Sequence, residues 1–158
     1  MKHILVPVDF SEITPELVAA AARMARRLDW PMTLLNVAPR QPDVLGKQIL
    51  RHEVREPAPE DVAEDFLKLK ALAQGARESE GVACDFRMVR GKPVATILNE
   101  ARRADSELIF MGAHDRKSIF QKLMGSVSAG VLEQAPCPIL VIPAGGRRER
   151  LPAGPRAA

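Results

Sequence analysis

The residues best suited to chemistry lie late in the chain, in Met111-Gly112-Ala113-His114-Asp115-Arg116 and in Met124-Gly125-Ser126-Val127-Ser128. An apolar run, Leu108-Ile109-Phe110-Met111, stops at Gly112, and a second glycine at 125 is followed by hydroxyl residues that open a helix at Ser126. Glycine lets backbone approach a ligand closely, and the first N–H groups of a helix have no intrahelical partner, so this is the layout of an anion site. Ser126, Val127 and Ser128 offer N–H groups and hydroxyls to such an anion. The same residues also have plainer readings, as turn glycines, an N-capping serine and, for His114, a solvated loop side chain.

A site of this kind needs strands that end at it. The run His3-Ile4-Leu5-Val6-Pro7-Val8 is continuously apolar rather than alternating, as in a parallel strand covered on both faces, and it ends at Asp9-Phe10-Ser11. Thr14-Pro15-Glu16 then supplies an N-cap, a proline at the first helical position and an acidic first turn, and Leu17, Ala21, Met24 and Leu28 give the apolar stripe of a helix that stops near Asp29. The unit returns as a strand over Met32 to Val37 and a helix marked by Val62, Phe66, Leu69 and Ala73 that ends at Gly81. Between them the polar segment 38–59, with Pro39, Pro42, Pro57 and Pro59, is either a lid over a site or a tolerated insertion.

A third strand, Val82 to Val89, is less purely apolar and therefore nearer an edge. Gly91-Lys92-Pro93 turns the chain into a helix with Val94, Ile97, Leu98 and Ala101, and Glu107 to Met111 is the fourth strand. Ile119, Phe120, Leu123 and Met124 have the spacing of a short helix, the helix from Ser126 continues to about Ala135, and Pro138 to Ile142 is the fifth strand. Strands alternating with helices predict an α/β fold: a three-layer open parallel sheet with right-handed crossovers. In such sheets the ligand crevice lies at the C-terminal ends of strands where the winding reverses. The loops at Asp9 and Gly112 face each other only if the first and fourth strands are neighbours there.

Composition narrows the partners. The tail 144–158 holds Arg147, Arg148, Arg150 and Arg156 against Glu149, which leaves 19 basic and 19 acidic residues in 1–143. A neutral body with one Trp and no Tyr lacks the basic face and stacking aromatics of a nucleic-acid domain. The Gly, Pro and Arg content of 144–158 predicts a disordered basic tail after a single domain at 1–143. No apolar run reaches the ~18 residues of a membrane span, and the first residues do not read as a signal peptide, so a cytoplasmic protein is expected. Cys84 and Cys137, each beside an apolar run, read as buried or half-buried fillers, and His3 and His52 as structural or surface residues.

The chain resembles the universal stress protein family over about residues 2–142. The resemblance rests on Ile4-Leu5-Val6-Pro7-Val8-Asp9-Phe10-Ser11, Gly91-Lys92-Pro93, Met111-Gly112-Ala113-His114, Gly125-Ser126-Val127-Ser128 and Ala135-Pro136-Cys137-Pro138-Ile139-Leu140-Val141-Ile142. It implies a five-stranded sheet in the order 3-2-1-4-5, Rossmann-like in the manner of the adenine nucleotide alpha hydrolases. It also implies an adenine nucleotide, ATP in the first instance, held by a pattern of Gly, two residues, Gly, nine residues, Gly and then Ser or Thr. Here the first glycine is Gly112 and the last pair Gly125-Ser126, but the middle glycine is replaced by Asp115.

The resemblance further implies roles. Asp9 binds a ribose hydroxyl, or alternatively forms an Asx-type cap in the turn before Thr14. Pro7, Val8 and Val37 wall the adenine, and Met111, Gly112, His114, Asp115, Arg116, Gly125, Ser126, Val127 and Ser128 surround the phosphates. A carboxylate at 115 adds like charge, costing on the order of 1 kcal/mol in water; Arg116 and Lys117 beside it, or a bound Mg or Mn ion, offset that cost. The apolar Ile139-Leu140-Val141-Ile142, as an edge strand, is expected to pair with its mate in a homodimer. Three functions stay open: a nucleotide-binding stress or signalling protein, a slow ATPase, and an AMP-binding or nucleotide-free interaction module. No P-loop and no nucleophile with a paired base is present, which disfavours the second.

Overall fold

The computed structural model describes residues 2–38, 59–113 and 126–143. The sequence readings for the segment between Ala38 and Pro59, the Ile119–Met124 helix and the 144–158 tail lie outside these residues. So do His114, Asp115, Arg116 and Gly125.

Five strands, β1 (Ile4–Val8), β2 (Met32–Ala38), β3 (Cys84–Arg90), β4 (Leu108–Ala113) and β5 (Ile139–Pro143), alternate with α1 (Thr14–Leu28), α2 (Pro59–Glu80), α3 (Pro93–Arg103) and α4 (Ser126–Gln134). All neighbouring strands pair in parallel, in the order β3-β2-β1-β4-β5. From β1 the chain winds outward through β2 to β3, then returns to the other side of β1 for β4 and β5. The helices follow that reversal. Leu17, Val18 and Ala21 of α1 and Leu69 and Ala73 of α2 bury one face with Ile4, Val6 and Leu34. Ile97, Leu98 and Ala101 of α3 and Val131 of α4 bury the other with Leu5, Leu35, Ile109 and Met111. Because successive strand residues point to opposite faces, a sheet covered on both sides needs largely apolar runs; β1 and β4 supply them without a polar side chain, and β2 does so apart from Thr33 and Asn36.

The element ends show what pattern alone misses. Thr14 is not the cap of α1: the helix begins at Thr14, the capping position is Ile13 in a right-handed helical conformation, and a turn closed by Thr14 N–H to Ser11 O at 2.9 Å precedes it. At the other end Asp29 takes a left-handed conformation at φ 55°, which Asp tolerates better than most side chains. The fourth strand does not stop at Met111. It continues through Gly112 and Ala113 because β5 supplies partners at Ile142 and Pro143. β3 is an outer strand, as its mixed polarity predicts, and Arg77 of α2 donates Nε–H to the carbonyl of Cys84 at 2.6 Å.

At the N-terminal ends of the strands His3 joins three elements. Its Nδ1 lies 3.0 Å from Ser106 Oγ and its Nε2 2.9 Å from Thr33 Oγ1, while its carbonyl accepts from the Glu107 N–H. Burial lowers the imidazole pKa from its ordinary 6.5, and the nearby carboxylate of Asp85 only partly opposes this. A cationic group with a lowered folded-state pKa takes up its proton first in the unfolded chain. Its stabilisation is therefore whole above pH 6.5 and is lost as the pH falls through the folded value. Urea midpoints measured between about pH 5 and pH 8 are expected to fall on the acid side, and His3→Gln, which keeps hydrogen-bonding groups but does not titrate, is expected to flatten that fall.

Candidate functional site

The ladder between β1 and β2 runs the full length of β1, from Ile4↔Met32 to Val8↔Asn36. The ladder between β1 and β4 covers Ile4↔Leu108 and Leu5↔Ile109. The two central strands are therefore joined at their N-terminal ends and part toward their C-terminal ends, at the place where the winding reverses. That parting is the crevice expected of an open parallel sheet.

One lip of it is the turn after β1. Asp9 Oδ1 accepts from Ser11 N–H at 3.1 Å, Ser11 Oγ–H at 2.6 Å and Thr14 Oγ–H at 3.5 Å. The Asx-type cap anticipated as one reading of Asp9 is thus present, and the side chain remains exposed at the rim. The next residue, Phe10, has φ 59°, a left-handed conformation that costs a non-glycine residue roughly 1–2 kcal/mol. Its ring packs against the core under α1 and lies 5.9 Å from the Lys68 ammonium of α2, contacts that hold the turn in place.

The end of β1 is fixed from its other side by Asn36, a residue the sequence reading passed over. Asn36 is 6 % exposed, and its Nδ2 donates to the carbonyl of Val8 at 3.0 Å. Its signal was a lone amide inside an otherwise apolar strand run. Val8 is itself 5 % exposed and belongs to the core beneath α1. Strand alternation turns Val8 to the opposite face from Pro7.

On the other side of the sheet, Val37, Met111 and Val127 share the apolar cluster under α3 and α4. Gly112 lies in β4, and α4 starts at Ser126, whose side chain is exposed, whereas Ser128 is buried at 6 %. Pro7 and Val8 end β1, Asp9 follows it, Val37 is the penultimate residue of β2, Met111 and Gly112 lie in the second half of β4, and Ser126, Val127 and Ser128 open α4.

Two hollows lie elsewhere. The larger, about 570 Å³ between α1 and α2, is walled by residues such as Val18, Ala22, Leu72 and Ala76 and offers few polar groups. The second, about 410 Å³, opens on the opposite side of the molecule beside His3, Thr33 and Arg87. Neither is lined by Asp9, Gly112 or the start of α4. Burial pushes the Cys84 thiol up to about 11, and Cys137 is half-buried with its thiol also raised by burial, so neither forms a ready thiolate nucleophile. Among the described residues no three His, Cys, Asp or Glu side chains gather as metal ligands, and no helix is long and apolar enough to cross a membrane.

A doubly wound parallel sheet with its crevice at the winding reversal defines the class: an open α/β domain of the kind that takes a ligand at its strand ends. The chain belongs to the universal stress protein family, whose model matches residues 1–143. It is 29 % identical over 142 residues to Universal stress protein MJ0531 of Methanocaldococcus jannaschii, an alignment covering 89 % of this chain and 81 % of that one. The fold is shared with the universal stress protein of Archaeoglobus fulgidus in complex with dAMP, at 21 % identity and a TM-score of 0.69, covering 90 % of this chain and 98 % of that one. It is also shared with a universal stress protein in complex with cAMP, at 18 % identity and a TM-score of 0.67, covering 89 % and 95 %.

Replacing Asn36 by Ala leaves the Val8 carbonyl without its buried donor. The expected cost is about 1–3 kcal/mol, read as a lower urea midpoint at unchanged slope.

Proposed function

We propose that the parting of β1 and β4 binds an adenine nucleotide, ATP in the first instance, and that the nucleotide-loaded protein acts in stress response or signalling in the cytoplasm. The observation that carries this reading is the short β1–β4 ladder, which ends before the Asp9 turn on one strand and Gly112 on the other. Supporting it, two solved relatives are described as complexes with dAMP and cAMP, both adenine nucleotides.

In this proposal the functional unit is one domain, 1–143. The base packs on Pro7 and Val37 on the side of the sheet that carries Met111 and Val127, with the backbone of Val37 and Val8 meeting its edge. The exposed Asp9 carboxylate takes a ribose hydroxyl while its Oδ1 keeps the turn closed. Phosphate meets backbone at Gly112 and Gly125, the hydroxyl of Ser126 and the free N–H groups of the first turn of α4 at Ser126, Val127 and Ser128. His114, Asp115 and Arg116 complete the surround, with Arg116 or a Mg or Mn ion balancing the Asp115 carboxylate.

Isothermal titration with ATP, ADP and AMP, with and without divalent metal, tests the reading. Saturable heat and thermal stabilisation are expected, and their absence for all three nucleotides refutes it in favour of a nucleotide-free interaction module. A preference for AMP shifts the ligand, and ADP release above background adds a slow ATPase. Removing the like charge with Asp115→Gly is expected to tighten ATP about 5-fold, from the ~1 kcal/mol of repulsion it relieves. Unchanged or weaker binding shows that Asp115 does not face the phosphates.

We infer in addition a homodimer through β5. Ile139–Pro143 is an outer strand, Val141 is 38 % exposed, and no charged side chain interrupts it. An apolar edge of that kind is a template for pairing with a second chain. Light scattering at micromolar concentration is expected to report a dimer for the native chain and a monomer for Val141→Arg. A native monomer defeats the inference.

A further inference from the structure

Gly112 invites a ligand explanation, but its backbone gives another reason for the residue. It is an ordinary strand position, paired with Ile142 and outside the left-handed region that only glycine adopts freely. A Cβ built there would lie 2.9 Å from Ile13 Cγ2, 3.5 Å from Cδ1 and 3.8 Å from Cγ1. The missing side chain points to the α1 side of the sheet, as does Phe110 two residues earlier, and Ile13, 6 % exposed, fills the space. Ile13 is the capping position of α1, its carbonyl accepts the N–H of Leu17, and it stands four residues after Asp9.

We propose that Ile13 is a positioning residue for the crevice: its side chain, seated in the blank left by Gly112, locks the Asp9 turn and the start of α1 against β4 and so sets the width of the opening. This rests on the nucleotide reading above for its functional consequence. The pairing is one of size. With a branched side chain on the α1 entry, a Cβ on the strand opposite would force Ile13 to shift, because interiors are close-packed. The β1–α1 turn crosses the parting where β1 and β4 are no longer hydrogen-bonded to each other, so a side-chain contact takes over the task the ladder performs lower down.

Three variants test it: Gly112→Ala, Ile13→Ala, and the double variant carrying both. Gly112→Ala is expected to lower Tm and to weaken ATP binding at least 10-fold, and Ile13→Ala to weaken binding several-fold by letting the turn shift into the void. In the double variant the added methyl enters the space Ile13 vacates, so Tm recovers and affinity returns to within about 3-fold of the native chain. If Tm recovers but affinity stays at the Gly112→Ala level, the glycine serves the ligand and the proposal is overturned; failure of Tm to recover overturns it as well. Should Gly112→Ala alone not fold, the double variant still decides, since it is expected to fold and bind. Hydrogen exchange of the Ser11 amide, which bonds Asp9 Oδ1, gives a readout independent of nucleotide. It is expected to quicken in Ile13→Ala and slow again in the double variant. If the native chain binds no adenine nucleotide, the function proposed above fails, and an unchanged Ser11 exchange rate is what separately refutes the positioning role.

Discussion

A strand in the middle of a parallel sheet is held by hydrogen bonds to both neighbours only for as long as both run alongside it. β1 keeps β2 as a partner through Val8, whereas its ladder with β4 covers Ile4 and Leu5. The cause is the reversal of winding: crossovers of one hand that run from β1 out to β3 and then back past β1 to β4 and β5 place α1 and α2 on one face and α3 and α4 on the other. Backbone that parts in this way exposes N–H and C=O groups that must be satisfied by turns, side chains or a ligand. The Asn36 bond to the Val8 carbonyl and the Asp9 bonds to Ser11 and Thr14 are the local answers. Where they stop, a polar ligand can continue.

The same parting explains the strain beside it. Phe10 stands in a left-handed conformation because the chain must turn sharply from the end of β1 into α1, and the ring can be accommodated only by packing under α1 next to Lys68. Strained backbone persists where surrounding contacts over-determine it, which here means a buried ring, a closed Asx turn and the Ile13 side chain pressed onto Gly112.

The two outer strands of the sheet are treated differently. Beside β3, Arg77 occupies a backbone carbonyl and pairs with Asp85 at 3.5 Å, and Arg87 pairs with Glu100 at 3.3 Å, so the edge is charged and partly capped. Exposed ion pairs add little stability, but charge on an edge discourages further strand addition. β5 carries Ile139, Leu140, Val141 and Ile142 without a charged residue. The asymmetry of the edges is a consequence of side chains, since both strands offer the same backbone.

Much of this was determined by the sequence itself. Continuous apolar runs, helical stripes at three- and four-residue spacing and the prolines at helix starts dictate alternating strands and helices, because burial on two faces and on one face leave different periods in the chain. The strand order was legible only through the resemblance of the motifs to a family, since adjacency in a sheet is a long-range property that no local spacing encodes. The candidate site divides in the same way. Asp9 was visible as a polar residue ending an apolar run, but its role in closing the turn needed Ser11 and Thr14 brought within reach. Asn36 and Ile13 looked ordinary in the sequence. Only the tertiary structure could set Asn36 against the Val8 carbonyl and Ile13 against Gly112, because each pairing joins residues on separate elements whose contact is created by packing, and the reason a glycine stands at position 112 lies in a side chain almost a hundred residues away.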